Sequence, residues 1–362
     1  MSQSKLELGV FMPNCSNMPS ISTHAVVADQ WHYATNERIA LLAEQLGFQC
    51  LFPVSRWRGF GGESNFLGTS LETNTWAAAL LRATQRIQVF STVHVPLFHP
   101  VVMAKIGATL AHMSGDRWGL NVVSGWSERE FGMMGIPLAE HGRRYERTGA
   151  FVDILRKLWD PTAPPLNHQS DWYSITEGVS LPRPGRMPQI ANAGVSADAR
   201  AMTARYCDWC FMTGASIDAL PALVSAVHSD AAVHQRQVRT AIFPFPIWRA
   251  SIAEAEDELA RIIEHKDSEA TANWLRDIGA GSGSFDTFTE NMLAASGGGL
   301  SLVGTAESVA EQLQAIHSAG VDAVMLTFQD YERDLQRFGD DILPLLHRMQ
   351  IVDTQGAQHH AS

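Results

Sequence analysis

Cysteine is scarce, with four residues in a chain of 362, and this excludes a scaffold built on disulfides. The one close pair, Cys207 and Cys210 in YCDWC, has the spacing of a redox or zinc motif. The segment CDWCFM reads as a strand, however, in which residues three apart face opposite sides and the thiols do not converge. The fourteen histidines lack the arrangements that hold zinc: there is no HExxH, no His-x-His and no second Cys pair. No metal is expected, and scattered surface and rim histidines are the simpler account. Basic residues are also in deficit, 27 Lys and Arg against 38 Asp and Glu, for a formal charge of −11. A chain of that sign is a poor match for a phosphate backbone, so no nucleic-acid partner is expected. No apolar run approaches the roughly 18 residues of a membrane span, and the start MSQSKLELGVF carries no signal-peptide cleavage pattern. A cytoplasmic location without a membrane partner is the expectation. A nucleotide fingerprint is missing as well: GAGSGS lacks the third glycine of GxGxxG and follows a helical segment, and there is no Walker loop.

What the chain does have is apolar residues, 45% against 18% charged, enough to bury a large core. Strand-like runs alternate with helical patterns throughout, which argues for parallel βα units. Strands are expected at Leu6 to Met12, Cys50 to Val54, Ile87 to Val93, Trp118 to Val123, Gln189 to Ala193, Trp209 to Thr213, Thr240 to Trp248 and Ala323 to Phe328. Helical spacing falls at Asn36 to Leu46, Leu71 to Arg82, Val101 to Met113, Arg143 to Trp159, Ser196 to Arg205, Ile217 to His228, Ile252 to His265, Thr305 to Ala319 and Arg333 to Met349. Eight strands are the number of an α/β (βα)8 TIM barrel, and the length fits one domain over residues 1–350 with insertions. The insertions are expected near 125–142, 160–188 and 266–299, the last with a mobile end at the SGGG of Ser296 to Gly299. The polar tail 351–362 is expected to be disordered.

In such a barrel the chemistry lies at the C-terminal ends of the strands. The stretch GLNVVSGW, Gly119 to Trp126, is the clearest strand exit: an apolar run reaches the amide of Asn121 and breaks into a Ser-Gly turn followed by an aromatic. Strand two exits into Ser55, Arg56, Trp57 and Arg58, and strand three into Ser91, Thr92, Val93 and His94. Strand five ends at Asn192, Ala193 and Gly194, and Ser196 opens a helix whose free amides suit an anion. Each residue also has a plainer reading. Asn121 would tie strand ends together, Thr92 would be a β-branched filler, Ser196 an ordinary N-cap and Arg143 to Arg147 a solvated helix face. Together an amide, hydroxyls, a Tyr, an Arg and a helix N-terminus at one mouth suit a planar phosphorylated cofactor.

Several segments, in order, carry a family resemblance over nearly the whole chain: GVFMP, ISTH at Ile21 to His24, RGFGG at Arg58 to Gly62, NVVSGW with Glu130, RRY at Arg143 to Tyr145, AGVS at Ala193 to Ser196 and LTF at Leu326 to Phe328. The chain resembles the bacterial-luciferase-like flavin monooxygenases, first their pyrimidine-oxidising branch in uracil degradation and next the dimethyl sulfone branch. The resemblance implies a TIM-barrel oxygenase that uses O2 and reduced FMN delivered by a separate NAD(P)H:flavin reductase, assembled as a homodimer or homotetramer. It places the flavin-binding positions at Ser55, Arg56, Asn121, Glu130, Arg144, Tyr145 and Ser196. Ser55 and Arg56 stand where the pyrimidine branch carries Ile-Lys; the other five keep the residue type. It also implies that Thr92 and Asn121 flank the oxygen pocket, and that Phe52, in place of a leucine, narrows it.

The expected activity is oxygenation of a small heterocycle or amide such as a pyrimidine, by ring opening of the uracil kind. The alternative is a sulfone or alkanesulfonate substrate. A metal-dependent barrel hydrolase and a non-catalytic flavin-binding protein are the competing classes.

Overall fold

Apolar runs fold as strands and amphipathic runs as helices in the computed structural model, which describes residues 4–212, 216–278 and 287–353. In chain order the first third holds β1 (Glu7–Phe11), α1 (Tyr33–Gln45), β2 (Cys50–Phe52), α2 (Thr73–Ala83), β3 (Gln88–His94), α3 (Pro100–Ser114) and β4 (Trp118–Val123). Next come α4 (Glu128–Met133), α5 (His141–Trp159), the strands β5 (Leu166–Gln169) and β6 (Ser174–Gly178), β7 (Gln189–Ala193), α6 (Ala197–Tyr206) and β8 (Trp209–Met212). The remainder holds α7 (Leu220–Val233), β9 (Arg239–Ile242), β10 (Pro244–Trp248), α8 (Ile252–Glu264), α9 (Ser268–Asp277), α10 (Thr287–Ser296), β11 (Leu300–Gly304), α11 (Ala306–Ser318), β12 (Ala323–Leu326), α12 (Tyr331–Asp341) and α13 (Leu343–Arg348).

Eight of these strands close a parallel barrel in the order β1, β12, β9, β8, β7, β4, β3, β2. They arise from the eight apolar runs of the sequence, and β1 closes the ring by pairing with both β2 and β12. Three segments depart from the expected pattern. The run Thr240 to Trp248 is not one strand: β9 stays in the barrel, whereas β10 pairs in parallel with β11 in a separate two-stranded sheet. Pro244 and Pro246 have no N–H to donate, so the chain cannot extend the barrel ladder there. The closing helix Arg333 to Met349 divides at Ile342, because Pro344 fits only the first turn of a new helix. CDWCFM is strand only from Trp209; Cys207 caps α6, with its thiol on Met202, and Cys210 faces the carbonyl of Gly194.

The insertions are folded where they are described. The first contains α4, capped by Ser127, and the second an antiparallel hairpin of β5 and β6. The third contributes α9 and α10, and the SGGG end expected to be mobile is packed, with Ser296 Oγ donating to the carbonyls of Met292 and Gly299. The GAGSGS cluster, Thr213 and the tail from 354 lie outside the described residues. Among the described residues no helix is long and apolar enough to cross a membrane, and no three His, Cys, Asp or Glu side chains converge as metal ligands.

The barrel lumen is filled by phenylalanine. Phe52 stacks on Phe211 at 5.0 Å and on Phe90 at 4.7 Å, and Phe11 meets Phe211 at 4.9 Å and Phe243 at 5.0 Å. Space for Phe90 comes from Gly119 on the neighbouring strand, where an added Cβ would lie 2.5 Å from that ring. At the N-terminal end of β4 the polar chemistry is structural: Arg117 donates to the carbonyls of Leu81, Thr84, Ile87 and Ser114. Gly119→Ala should therefore overpack the lumen and lower stability by about 1–3 kcal/mol. Gly132→Ala, in α4 with nothing within 4 Å of the added methyl, should raise it by up to about 1 kcal/mol. Urea unfolding midpoints of the two variants check the contrast, and equal shifts would contradict it.

Candidate active site

The C-terminal ends of the strands surround a cavity of about 220 Å³. Its walls are mostly aromatic and aliphatic, and its polar side chains are Ser55, Arg56, Thr92, His94 and Asn121. The lumen phenylalanines Phe11, Phe211 and Phe243 face it from below, and the first and third insertions add Trp126 and Trp274. The insertions thus reach the site, and α9 is tied across it: Asn273 Nδ2 donates to the carbonyl of Phe60, and Asp267 accepts from the backbone N–H of Ser64.

Strand register sets the central polar pair. Thr92 and Asn121 lie opposite each other on β3 and β4, and Asn121 Nδ2 donates to Thr92 Oγ1 at 3.3 Å. The threonine hydroxyl in turn donates to the carbonyl of Pro53 at 2.6 Å. Asn121 Oδ1 is buried without a partner. The donor half of the amide thus ties β4 to β3, while its acceptor half is left without a hydrogen-bond partner.

Arg56 and Glu130 form a buried ion pair, with Nε 3.1 Å from Oε1. The direction of the N–H is off the oxygen, so the attraction is chiefly that of opposite charges, and Nε and Nη1 both lack a hydrogen-bond acceptor. The guanidinium lies 4.6 Å from the ring centres of both Phe60 and Trp126, a setting that favours a flat delocalised cation. Glu130 does not line the cavity. From α4 it accepts from the backbone N–H of Trp57 at 2.8 Å and of Arg58 at 3.2 Å, which anchors the exit of β2. Burial is the main influence lowering the Arg56 pKa from its ordinary value, opposed by Glu130.

A second, more polar hollow of about 570 Å³ shares Trp126 with the first and is lined by His141, Arg144 and Tyr145 from α5. Arg144 donates to the carbonyl of Gly125 and reaches His141 Nδ1 at 3.1 Å. His141 Nε2 lies 3.2 Å from Ser196 Oγ, which caps α6 by accepting from the N–H of Ala199. Tyr145 is held above its usual pKa by burial, with Ser196 and Arg144 acting against that. The structure therefore groups the nine expected positions in three sets. Ser55, Arg56, Thr92 and Asn121 line the cavity, with Glu130 behind Arg56. Arg144, Tyr145 and Ser196 gather at the second hollow. Phe52 is not among the side chains lining the cavity; its ring stacks on that of Phe211, which is.

The unpartnered atoms Asn121 Oδ1, Arg56 Nη1 and Arg144 Nε, beside an apolar slot and a helix N-terminus, fit an elongated ligand with a flat apolar part and an anionic end. Sequence reasoning placed His94 at a strand exit without giving it a role, although it lines the cavity. Trp126 had a signal, as the aromatic after the Ser-Gly turn. Trp274 had none, because only the packing of α9 over the mouth brings it there.

Burial and the nearby Arg56 depress the His94 pKa from 6.5 to about 3. The unfolded chain therefore takes up this proton as pH falls through 6.5, while the folded protein refuses it until near 3. The stability contribution is present above pH 6.5 and declines below it, amounting to a loss of about 2 kcal/mol by pH 5. Denaturant unfolding at pH 7.5 and 5.0 should show a smaller loss, by about that amount, in His94→Leu than in the wild type. An equal loss in both would contradict the assignment.

The chain is similar to known proteins over nearly its full length. An FMNH2-dependent dimethylsulfone monooxygenase from Pseudomonas fluorescens is 30% identical over 97% of each chain. A pyrimidine monooxygenase, RutA, from Methylobacterium radiotolerans is 32% identical over 96% of this chain and 93% of the relative. Among solved structures, a riboflavin lyase superposes with a TM-score of 0.86 at 20% identity, covering 97% of this chain and 93% of that one, a likeness of fold. Residues 6–323 match the model of the luciferase-like monooxygenases, and the chain belongs to that family.

Proposed function

We propose that this chain is the oxygenase of a two-component system, which takes reduced FMN from a separate flavin reductase and inserts one atom of O2 into a small heterocycle or amide of the pyrimidine type. The observation that carries the reading is the open acceptor of Asn121 beside Thr92, at the end of an otherwise apolar strand and within a cavity walled by aromatic rings. Relatives named for FMNH2-dependent and pyrimidine oxygenation support it across nearly the full length. A sulfone substrate is the second reading, favoured by the 30% identity to the dimethylsulfone enzyme over 97% of the chain.

Bound reduced FMN supplies the two electrons that reduce O2, one oxygen atom entering the substrate and the other leaving as water. The residues at hand fit its two ends. Arg144, Tyr145 and the capped N-terminus of α6 at Ser196 suit the phosphate, through cationic charge, hydroxyls and free backbone N–H groups. Ser55, Arg56 and Asn121 suit the ring at the cavity, with Glu130 fixing the loop that carries the first two. The Thr92 hydroxyl donates its hydrogen bond to the carbonyl of Pro53 and accepts from Asn121, so its remaining task is to orient that amide. Asn121 then presents Nδ2 and Oδ1 to the reacting groups in a space from which Trp126 and Trp274 exclude water. Assembly as a homodimer or homotetramer belongs to the same proposal.

Oxygen uptake with a flavin reductase, NAD(P)H and FMN against uracil, dimethyl sulfone and alkanesulfonates tests the reading. Substrate-dependent product from uracil supports the pyrimidine assignment, product from the sulfone the second one, and product from none of them removes both. Asn121→Ala should abolish product while reduced-FMN binding stays within about tenfold, roughly 1.4 kcal/mol; normal turnover would contradict its role. Ser196→Ala should weaken FMN binding by about 1 kcal/mol, and an unchanged titration would return Ser196 to helix capping alone.

A further inference from the structure

His94 is the last residue of β3, is 2% exposed and lines the apolar cavity. Its Nδ1 is buried without a partner, and no hydrogen bond joins the ring to another described residue. The ring packs 5.7 Å from that of Phe131. A buried polar ring with nothing to bind is a poor choice for a core, where a leucine of similar size would fill the space without an unmet nitrogen. Sites that break a rule of packing in this way are where ligands are held.

The charge around it limits what that ligand can be. Among the described residues Arg56 is the one charged side chain lining the cavity, and its charge is matched by Glu130 at 3.1 Å. An anion entering this space would be buried without a cation of its own, a costly arrangement. A neutral molecule with a strongly polarised oxygen meets no such cost and can accept hydrogen bonds from the imidazole N–H and from the unpartnered Nη1 of Arg56. We propose that His94 contacts the substrate directly and, with Arg56, selects uncharged molecules carrying a carbonyl or sulfonyl oxygen over anionic ones such as sulfonates. The assignment rests on the monooxygenase reading above and narrows its substrate class. Burial and the neighbouring guanidinium keep the imidazole uncharged at neutral pH, so one nitrogen donates while the other accepts.

The test is titration calorimetry of the FMN-bound protein with uracil, dimethyl sulfone and methanesulfonate, together with oxygen-dependent turnover of the same three compounds. The expected result is binding of at least one uncharged probe, with methanesulfonate at least tenfold weaker. His94→Leu should weaken the uncharged probe at least tenfold, leave FMN affinity within threefold and melt no lower than the wild type. His94→Gln or His94→Asn, each keeping an N–H and an acceptor, should restore binding to within threefold. The proposal is overturned if the wild type binds none of the probes, if methanesulfonate binds as well as they do, if neither polar variant restores binding, or if His94→Leu binds normally or melts lower. Binding that depends on His94 without turnover removes the monooxygenase reading and leaves this assignment standing. Turnover indifferent to His94 does the reverse.

Discussion

The stack of phenylalanine rings inside the closed barrel is the constraint on which the rest of the structure depends. A parallel barrel must fill its lumen with side chains, and here Phe11, Phe52, Phe90, Phe211 and Phe243 do so at centroid distances of 4.7 to 6.0 Å. The filling is possible because β4 carries Gly119 where Phe90 crosses it. The stack forms an apolar floor that offers no hydrogen-bond partner to the polar side chains around it. That floor gives the open atoms of Asn121, Arg56 and His94 their significance.

Electrostatics follow from the same geometry. A guanidinium over an aromatic floor needs a counter-charge, and Glu130 provides it from α4 while holding the backbone of Trp57 and Arg58. One carboxylate thus balances a buried charge and shapes the loop that carries it. The balanced pair leaves the cavity with little net charge from its described side chains. The cationic character that suits a phosphate lies instead at the second hollow, with Arg144, His141 and the N-terminus of α6.

Much of this was legible in the chain, though unevenly. The eight barrel strands follow from short apolar runs, because a strand buried on both faces has to be apolar along its length. Their exits were legible for the same reason: Asn121 and Thr92 are polar residues at the ends of apolar runs. The proline-bearing run Thr240 to Trp248 was misread because a single apolar pattern serves two sheets, and only the missing N–H groups of Pro244 and Pro246 separate them. Phe52 ends β2 in register with Phe11, yet its ring stacks between Phe90 and Phe211, a lateral arrangement that position on a strand does not give.

By itself the sequence determined the alternation of strands and helices, the number of barrel strands and the residues that leave each strand end, since these depend on local periodicity and on breaks in it. Tertiary structure decided which of those residues share a space. The opposition of Thr92 and Asn121 depends on the register of β3 against β4. The pairing of Arg56 with Glu130 joins residues 74 positions apart, and the arrival of Trp274 depends on α9 crossing the mouth. The state of His94 was decided there as well, for its burial beside a guanidinium sets its proton affinity, and neither condition is written in the residues around it.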